Sequence, residues 1–213
     1  MKNFRALIVG GGIGGLAAAL ACSRAGWRVR LFEQAAQFSE VGAGIQMGPN
    51  VVGVLQGWDL AAGLAAVAAF PERLQARNAV SGVELGVLRL GAAAVQRYGA
   101  PYATIHRADL HQLLLQTVQQ REDVQLGLHQ TVDSYAESSG AVTVRTGSGL
   151  EIEGNALIGA DGLWSRVREQ LLQDGLPRFT GHLAYRAMLP QHSLPQQLRS
   201  QQITAWLGPR LHV

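Results

Sequence analysis

Three glycines indicate what chemistry this sequence can do. Gly10, Gly12 and Gly15 lie in Gly10-Gly11-Gly12-Ile13-Gly14-Gly15 and make a G-x-G-x-x-G pattern. Alone, that pattern is a weak signal. Here it follows the apolar run Ala6-Leu7-Ile8-Val9 and precedes Ala17-Ala18-Ala19-Leu20-Ala21. It therefore stands between a strand and a helix, the setting a dinucleotide-binding turn needs. Gly10 permits the tight turn, Gly12 lets backbone approach a pyrophosphate, and Gly15 lets helix and strand pack closely. Ile13 and Gly14 open the helix, whose free N–H groups and partial positive charge suit phosphates. Glu33 follows Gly15 by 33 − 15 = 18 residues, near the ~20 at which an acid meets a ribose hydroxyl pair. Gln34 adjoins it. A carboxylate there repels a 2′-phosphate, which disfavours NADP in this pocket. The motif by itself leaves FAD and NAD both open.

The elements that must hold these residues are legible around them. Residues 4–9 read as a buried strand, 13–25 as a helix ended by Gly26, and 28–33 as a second strand with Val29 and Leu31 alternating against Arg28 and Arg30. Together they form a βαβ unit and imply a parallel sheet. A glycine-rich stretch runs from Glu40 to Asn50. Residues 74–98 alternate loosely and predict antiparallel strands. Residues 107–120 predict a helix with Leu110, Leu113, Leu114, Thr117 and Val118 on one face. Short strands are expected at 124–128, 141–146, 150–153 and 156–159, a short helix from Trp164 to Leu172, and strands at 183–189 and 202–207. Neither an internal repeat nor a low-complexity linker interrupts the chain.

Composition narrows the function classes. Hydrophobic residues make up 47% of the 213, enough for a core, and charged residues 15%. The net charge is +3, with no run of Lys or Arg, so a nucleic-acid partner is not expected. Lys2 and Arg5 precede an uncharged stretch over 6–23, which resembles a signal peptide. Glycines interrupt the stretch and a charged strand follows, so a folded nucleotide site is the better reading. No apolar run reaches the ~20 residues of a membrane span. The single cysteine, Cys22, excludes an internal disulfide and favours a cytoplasmic location. No His/Cys cluster suggests a metal site.

Three further segments carry a resemblance. They are Gly42-Ala43-Gly44-Ile45-Gln46-Met47-Gly48-Pro49-Asn50, His106-Arg107-Ala108-Asp109-Leu110, and Gly159-Ala160-Asp161-Gly162-Leu163-Trp164-Ser165-Arg166. In this order and spacing, with the glycine turn, the chain resembles the FAD-dependent aromatic hydroxylases, in particular the salicylate and 3-hydroxybenzoate hydroxylase branch. The resemblance implies that Gln46 lies on a loop beside the flavin and that Arg107 reaches the FAD. It implies that Asp161 and Gly162 form the family's Asp-Gly motif. It also implies that His212, in Trp206-Leu207-Gly208-Pro209-Arg210-Leu211-His212, lies near a substrate phenol. A histidine titrates near neutral pH and can take a phenol proton.

The implied fold is α/β, a Rossmann-like FAD-binding domain with a parallel sheet, interleaved with a β-rich substrate domain. The expected FAD-binding parts are residues 1–72 and 99–180; residues 73–98 and 181–213 are expected to belong to the substrate domain. The implied activity is hydroxylation of a small aromatic substrate with FAD, NADH or NADPH, and O2, in a homodimer; the alternatives are a flavin monooxygenase of a non-phenolic substrate, an NAD-dependent dehydrogenase and a nucleotide-binding fragment without turnover. The family carries a further Gly-Asp signature and a helix-rich end that these residues lack, so the resemblance implies a partial chain.

Overall fold

Ala6, Leu7, Ile8 and Val9 are all buried, as a short apolar strand covered on both faces must be. The computed structural model of the protein describes residues 4–39 and 42–213. The chain runs β1 (Arg5–Val9), α1 (Ile13–Arg24), β2 (Arg28–Phe32), β3 (Gly44–Met47), α2 (Pro49–Gly57), α3 (Ala61–Val67) and β4 (Ala68–Ala69). It continues through β5 (Arg73–Asn78), β6 (Glu84–Arg89), α4 (Gly91–Tyr98), β7 (Ala103–His106), α5 (Arg107–Gln119) and β8 (Val124–Gly127). It closes with β9 (Val132–Ser138), β10 (Ala141–Thr146), β11 (Glu151–Gly154), β12 (Ala156–Gly159), α6 (Arg166–Leu172), β13 (Ile203–Gly208) and β14 (Leu211–His212). These elements form two compact units, residues 1–41 with 110–184, and residues 42–109 with 185–213.

The first unit is built on a parallel sheet of order β12-β1-β2-β8. β1 and β2 are in register with Ile8 opposite Leu31 and Val9 opposite Phe32. The connection between them is α1, which packs on the sheet through Leu16, Ala19 and Leu20, all buried. α1 ends as its sequence dictates: Gly26 takes φ +82°, its N–H donates to the Ser23 carbonyl, and the Trp27 N–H donates to that of Cys22. That pair of bonds closes a helix C-terminus around a left-handed glycine. Leu7, Val9 and Phe32 join Val132, Val142 and Val144 of an antiparallel sheet, β11-β10-β9, in one cluster. Ser23 ties α1 to the turn before β8: its hydroxyl donates to Asp123 at 2.9 Å and accepts from Arg121 at 2.7 Å.

The second unit contains a sheet of order β14-β13-β5-β6 and a smaller one of order β3-β7-β4. The fold class expected from the sequence, α/β on a parallel sheet, is the one observed.

Several elements differ from expectation. Residues 91–98 form α4 instead of a strand, because the Ala92-Ala93-Ala94 run has strong helix propensity and Gly99 ends it at φ +80°. Residues 183–189 have a strand-like composition but form no strand and are exposed; side chains of strand type do not make a strand without a neighbouring edge to pair with. α2, α3 and β9 have no counterpart in the expectation. The buried face of α5 is Leu110, His111, Leu114, Leu115 and Val118, so it is turned from the expected one: Leu113 and Thr117 are only half-buried. α6 begins two residues later than expected, at Arg166, because Ser165 caps it. The glycine-rich stretch expected over 40–50 includes Glu40 and Val41, which lie outside the described residues; from Gly44 it becomes β3.

Candidate functional site

β1 delivers the chain into Gly10, which is held on both sides. Its N–H donates to the Phe32 carbonyl at 2.8 Å, and the Ala160 N–H donates to the Val9 carbonyl at 2.8 Å. Gly10 takes φ +104°, and a Cβ built there would lie 2.3 Å from the Ala160 carbonyl oxygen. Conformation and space both require glycine at this position. A Cβ on Gly15 would lie 1.8 Å from the Gly10 carbonyl oxygen, so helix α1 can approach the turn only because Gly15 has none. Gly14 is exposed, and a Cβ there would meet nothing nearer than 4.0 Å.

Gly12 is the N-cap of α1, with extended backbone, no side-chain cap and no acid in the first turn. Ile13 is half-buried behind it. The helix therefore opens with backbone donors that no side chain of its own cap satisfies, which is a ready anion site.

Gly11, between the two motif glycines, is more constrained than the motif implies. Its N–H donates to Glu33 Oε2 at 2.7 Å. Its carbonyl faces His111 Nε2 at 2.9 Å. A Cβ would lie 2.5 Å from Phe38 Cε1. Glu33 also accepts the Ala35 N–H on Oε1 at 2.7 Å, so each carboxylate oxygen holds one backbone N–H. A carboxylate has about four acceptor sites, which leaves room for ribose hydroxyls. Gln34 is exposed beside it. The sequence reading assigned no role to Gly11, Phe38 or His111. For His111 the signal was available in the alternative helical stripe 111, 115, 118.

Asp161 and Gly162 follow β12. Asp161 accepts from Ser165 Oγ at 2.5 Å on Oδ1, and from the N–H groups of Arg166 at 2.7 Å and Val167 at 3.3 Å on Oδ2. Its carboxylate thus holds the start of α6. Gly162 takes φ +76°. The Asp161 N–H lies 2.9 Å from where a Gly10 Cβ would be, so this turn abuts the glycine turn.

The second unit carries the remaining residues. Gln46, on β3, accepts a hydrogen bond from the Tyr102 hydroxyl, whose pKa is pushed up by partial burial. Arg107 starts α5; its N–H donates to the Ala43 carbonyl at 3.2 Å, and its side chain lies along Gly42. His106 Nε2 sits 2.9 Å from the Gly42 carbonyl oxygen. His212 lies on β14, exposed, opposite Leu207 in the hairpin with β13. The first unit thus brings together Gly10, Gly12, Ile13, Gly14, Gly15, Glu33, Gln34, Asp161 and Gly162. Gln46, Arg107 and His212 belong to the second. Among the described residues no group of His, Cys, Asp and Glu is arranged to hold a metal ion, and no helix is long and apolar enough to cross a membrane.

Comparison with known proteins agrees with this geometry. The chain is 39% identical over 207 residues to a 3-hydroxybenzoate 6-hydroxylase of Polaromonas naphthalenivorans, covering 97% of this chain and 52% of that one. The structure of 2,6-dihydroxypyridine-3-hydroxylase from Arthrobacter nicotinovorans shares the fold at a TM-score of 0.77 and 24% identity, over 97% of this chain and 50% of that one. Klebsiella pneumoniae HpxO, solved with FAD and uric acid, superposes at a TM-score of 0.66 and 28% identity, over 78% of this chain and 41% of that one. The chain spans about half the length of the curated relatives it matches. A family described as FAD binding domain matches residues 3–207, nearly the whole sequence, and the chain belongs to that family.

Proposed function

We propose that this chain binds FAD through the turn at Gly10–Gly15 and serves a flavin-dependent monooxygenase that hydroxylates a small aromatic substrate with NADH or NADPH and O2. The observation that carries the reading is the glycine turn itself. Side chains are excluded at Gly10 and Gly15, and the turn opens onto an N-terminus of α1 that has no side-chain cap and no first-turn acid. Those features suit a pyrophosphate, in a chain of the FAD binding domain family. The fit extends to Glu33, which keeps acceptor capacity for ribose beyond the two N–H groups it holds.

FAD, when bound, supplies the redox and oxygen chemistry, and the protein supplies binding, orientation and exclusion of water. In this reading Gly12, Ile13 and Gly14 present backbone donors to the phosphates, and Glu33 and Gln34 border the ribose. Arg107 offers a forked donor to a phosphate oxygen pair. Gln46 borders the flavin. Asp161 and Gly162 act through the turn they hold. His212 takes the phenol proton of the substrate. The expected division, residues 1–72 and 99–180 for FAD and 73–98 and 181–213 for substrate, is part of the same proposal. So are a cytoplasmic location, in keeping with the single cysteine, and a homodimer. The fully exposed edge strand β6 supports self-association.

The test is a titration followed by flavin absorbance. Uptake of FAD by the parent chain alone is expected to be weak, and Gly12→Val is expected to lose it while folded, since a side chain would fill the space of the phosphates. Glu33→Ala is expected to weaken binding by about 1–3 kcal/mol, the scale of hydrogen bonds to a charged group. Undiminished affinity in folded Gly12→Val would overturn the reading. Hydroxybenzoate-stimulated oxidation of NADH or NADPH then tests the reaction.

A further inference from the structure

Among the described residues, the functional reading leaves one buried titratable side chain unused. His111 is 3% exposed, on α5, with its ring Nε2 2.9 Å from the Gly11 carbonyl oxygen. We infer that His111 is a positioning residue: it anchors the Gly11 carbonyl and so aims the Gly12 N–H at the pyrophosphate. The inference rests on the FAD reading of this site.

A carbonyl oxygen only accepts, so the His111 ring nitrogen facing it must carry a proton and donate. The peptide that follows is trans, as are all among the described residues. In a trans peptide the carbonyl and the next N–H point to opposite sides. Holding the Gly11 carbonyl on the α5 side therefore turns the Gly12 N–H to the other side, where Gly12 is partly exposed at the head of α1.

The anchor is needed because of the sequence around it. Gly10, Gly11 and Gly12 carry no Cβ, so their backbone samples far more conformations than other residues would allow. A peptide between two glycines can rotate and present its carbonyl to an anion instead of its N–H. The site removes that freedom from three directions. Glu33 takes the Gly11 N–H at 2.7 Å. Phe38 fills the place of the Gly11 Cβ, 2.5 Å away, and its ring stands 6.4 Å from that of His111. His111 takes the carbonyl. Of the three, only His111 sets which way the Gly11–Gly12 peptide faces, because only it bonds an atom of that peptide.

The test uses the ¹⁵N-labelled full chain with His111→Gln and His111→Leu. Gln can place an amide N–H where the imidazole Nε2–H was; Leu fills the volume without a donor. In the ligand-free parent, long-range ¹H–¹⁵N spectra should show His111 protonated at Nε2. The Gly11 and Gly12 amide signals should stay single in His111→Gln and broaden or split in His111→Leu. On titration with FAD, His111→Gln should stay within about threefold of the parent and His111→Leu should lose about tenfold or more, the scale of one lost hydrogen-bond anchor. A His111 bare at Nε2 would overturn the inference, and so would sharp, unshifted glycine amides or parent-like FAD affinity in folded His111→Leu. A parent chain that takes up no FAD would overturn the functional reading, while the tautomer and the glycine amides still judge the anchor.

Discussion

Two neighbouring glycines of the nucleotide turn carry opposite constraints. Gly15 sits where a Cβ would lie 1.8 Å from the Gly10 carbonyl oxygen, against backbone that cannot move aside cheaply. Gly14, one residue earlier on the same helix, would bring a Cβ only into ordinary contact with Ala160 Cβ at 4.0 Å. Gly15→Ala is therefore expected to destabilise the protein by about 1–3 kcal/mol, the usual range for overpacking. Gly14→Ala is expected to be neutral or to stabilise by up to about 1 kcal/mol, since alanine loses less backbone entropy in a helix. Urea unfolding of the two variants checks this. Equal effects would mean that α1 does not approach the turn as closely as described. The same residue scale explains Glu33: its carboxylate organises the turn through the Gly11 N–H as well as offering itself to a ribose.

At the scale of elements, α6 is the least anchored of the helices around the site. Residues 166–172 include none that is buried. The helix is held by its start, where Ser165 Oγ accepts the Arg168 N–H at 3.0 Å and Asp161 accepts from Ser165, Arg166 and Val167. Its other ties are half-buried Val167, which packs against the cluster of Leu7, Val9 and Phe32, and Gln170, which bonds both backbone groups of Tyr135 on β9. Losing an N-cap costs about 0.5–2 kcal/mol. In a helix without buried residues that cost should appear as local opening, with little change in global stability. Hydrogen exchange on Ser165→Ala should show faster exchange confined to α6 and the turn at Asp161. Acceleration spread through β1 and β2 would show instead that α6 is coupled to the core.

At the scale of the molecule, each compact unit is made from two separated stretches of chain. In the second unit, β13 pairs with β5 in parallel and with β14 in antiparallel, so it is an inner strand of its sheet. Buried Gln75 of β5 donates to Thr204 of β13 at 2.8 Å, and Arg73 donates to Gln202 at 2.7 Å. Deleting residues 185–213 strips that sheet to the hairpin of β5 and β6, and a lone hairpin is marginal in water. The first unit keeps its whole parallel sheet, because β12, β1, β2 and β8 all precede residue 185. Amide protection is expected to persist in β1, β2 and β12 and to vanish in β5. Protection retained in β5 would show that β13 is dispensable to that sheet.

What the sequence determined by itself was local. The strand of Ala6 to Val9, the helix closed by Gly26 and the strand up to Phe32 depend on propensity, alternation and a single left-handed residue. Each of those acts within a turn or two of chain. The roles of Gly10 and Gly15 were legible for the same reason, since both follow from the geometry of one strand–turn–helix passage. Only the tertiary structure decided who meets whom. It set His111 against Gly11, 100 residues away, and turned the buried face of α5 to do so. It gave the Glu33 carboxylate a backbone partner 22 residues distant. It left residues 183–189 without a ladder and made residues 91–98 a helix. A helix has several faces that a periodic sequence can bury, and an apolar run can pair or stay open. Which of these happens depends on the surface that the rest of the chain presents, and no local pattern encodes that surface.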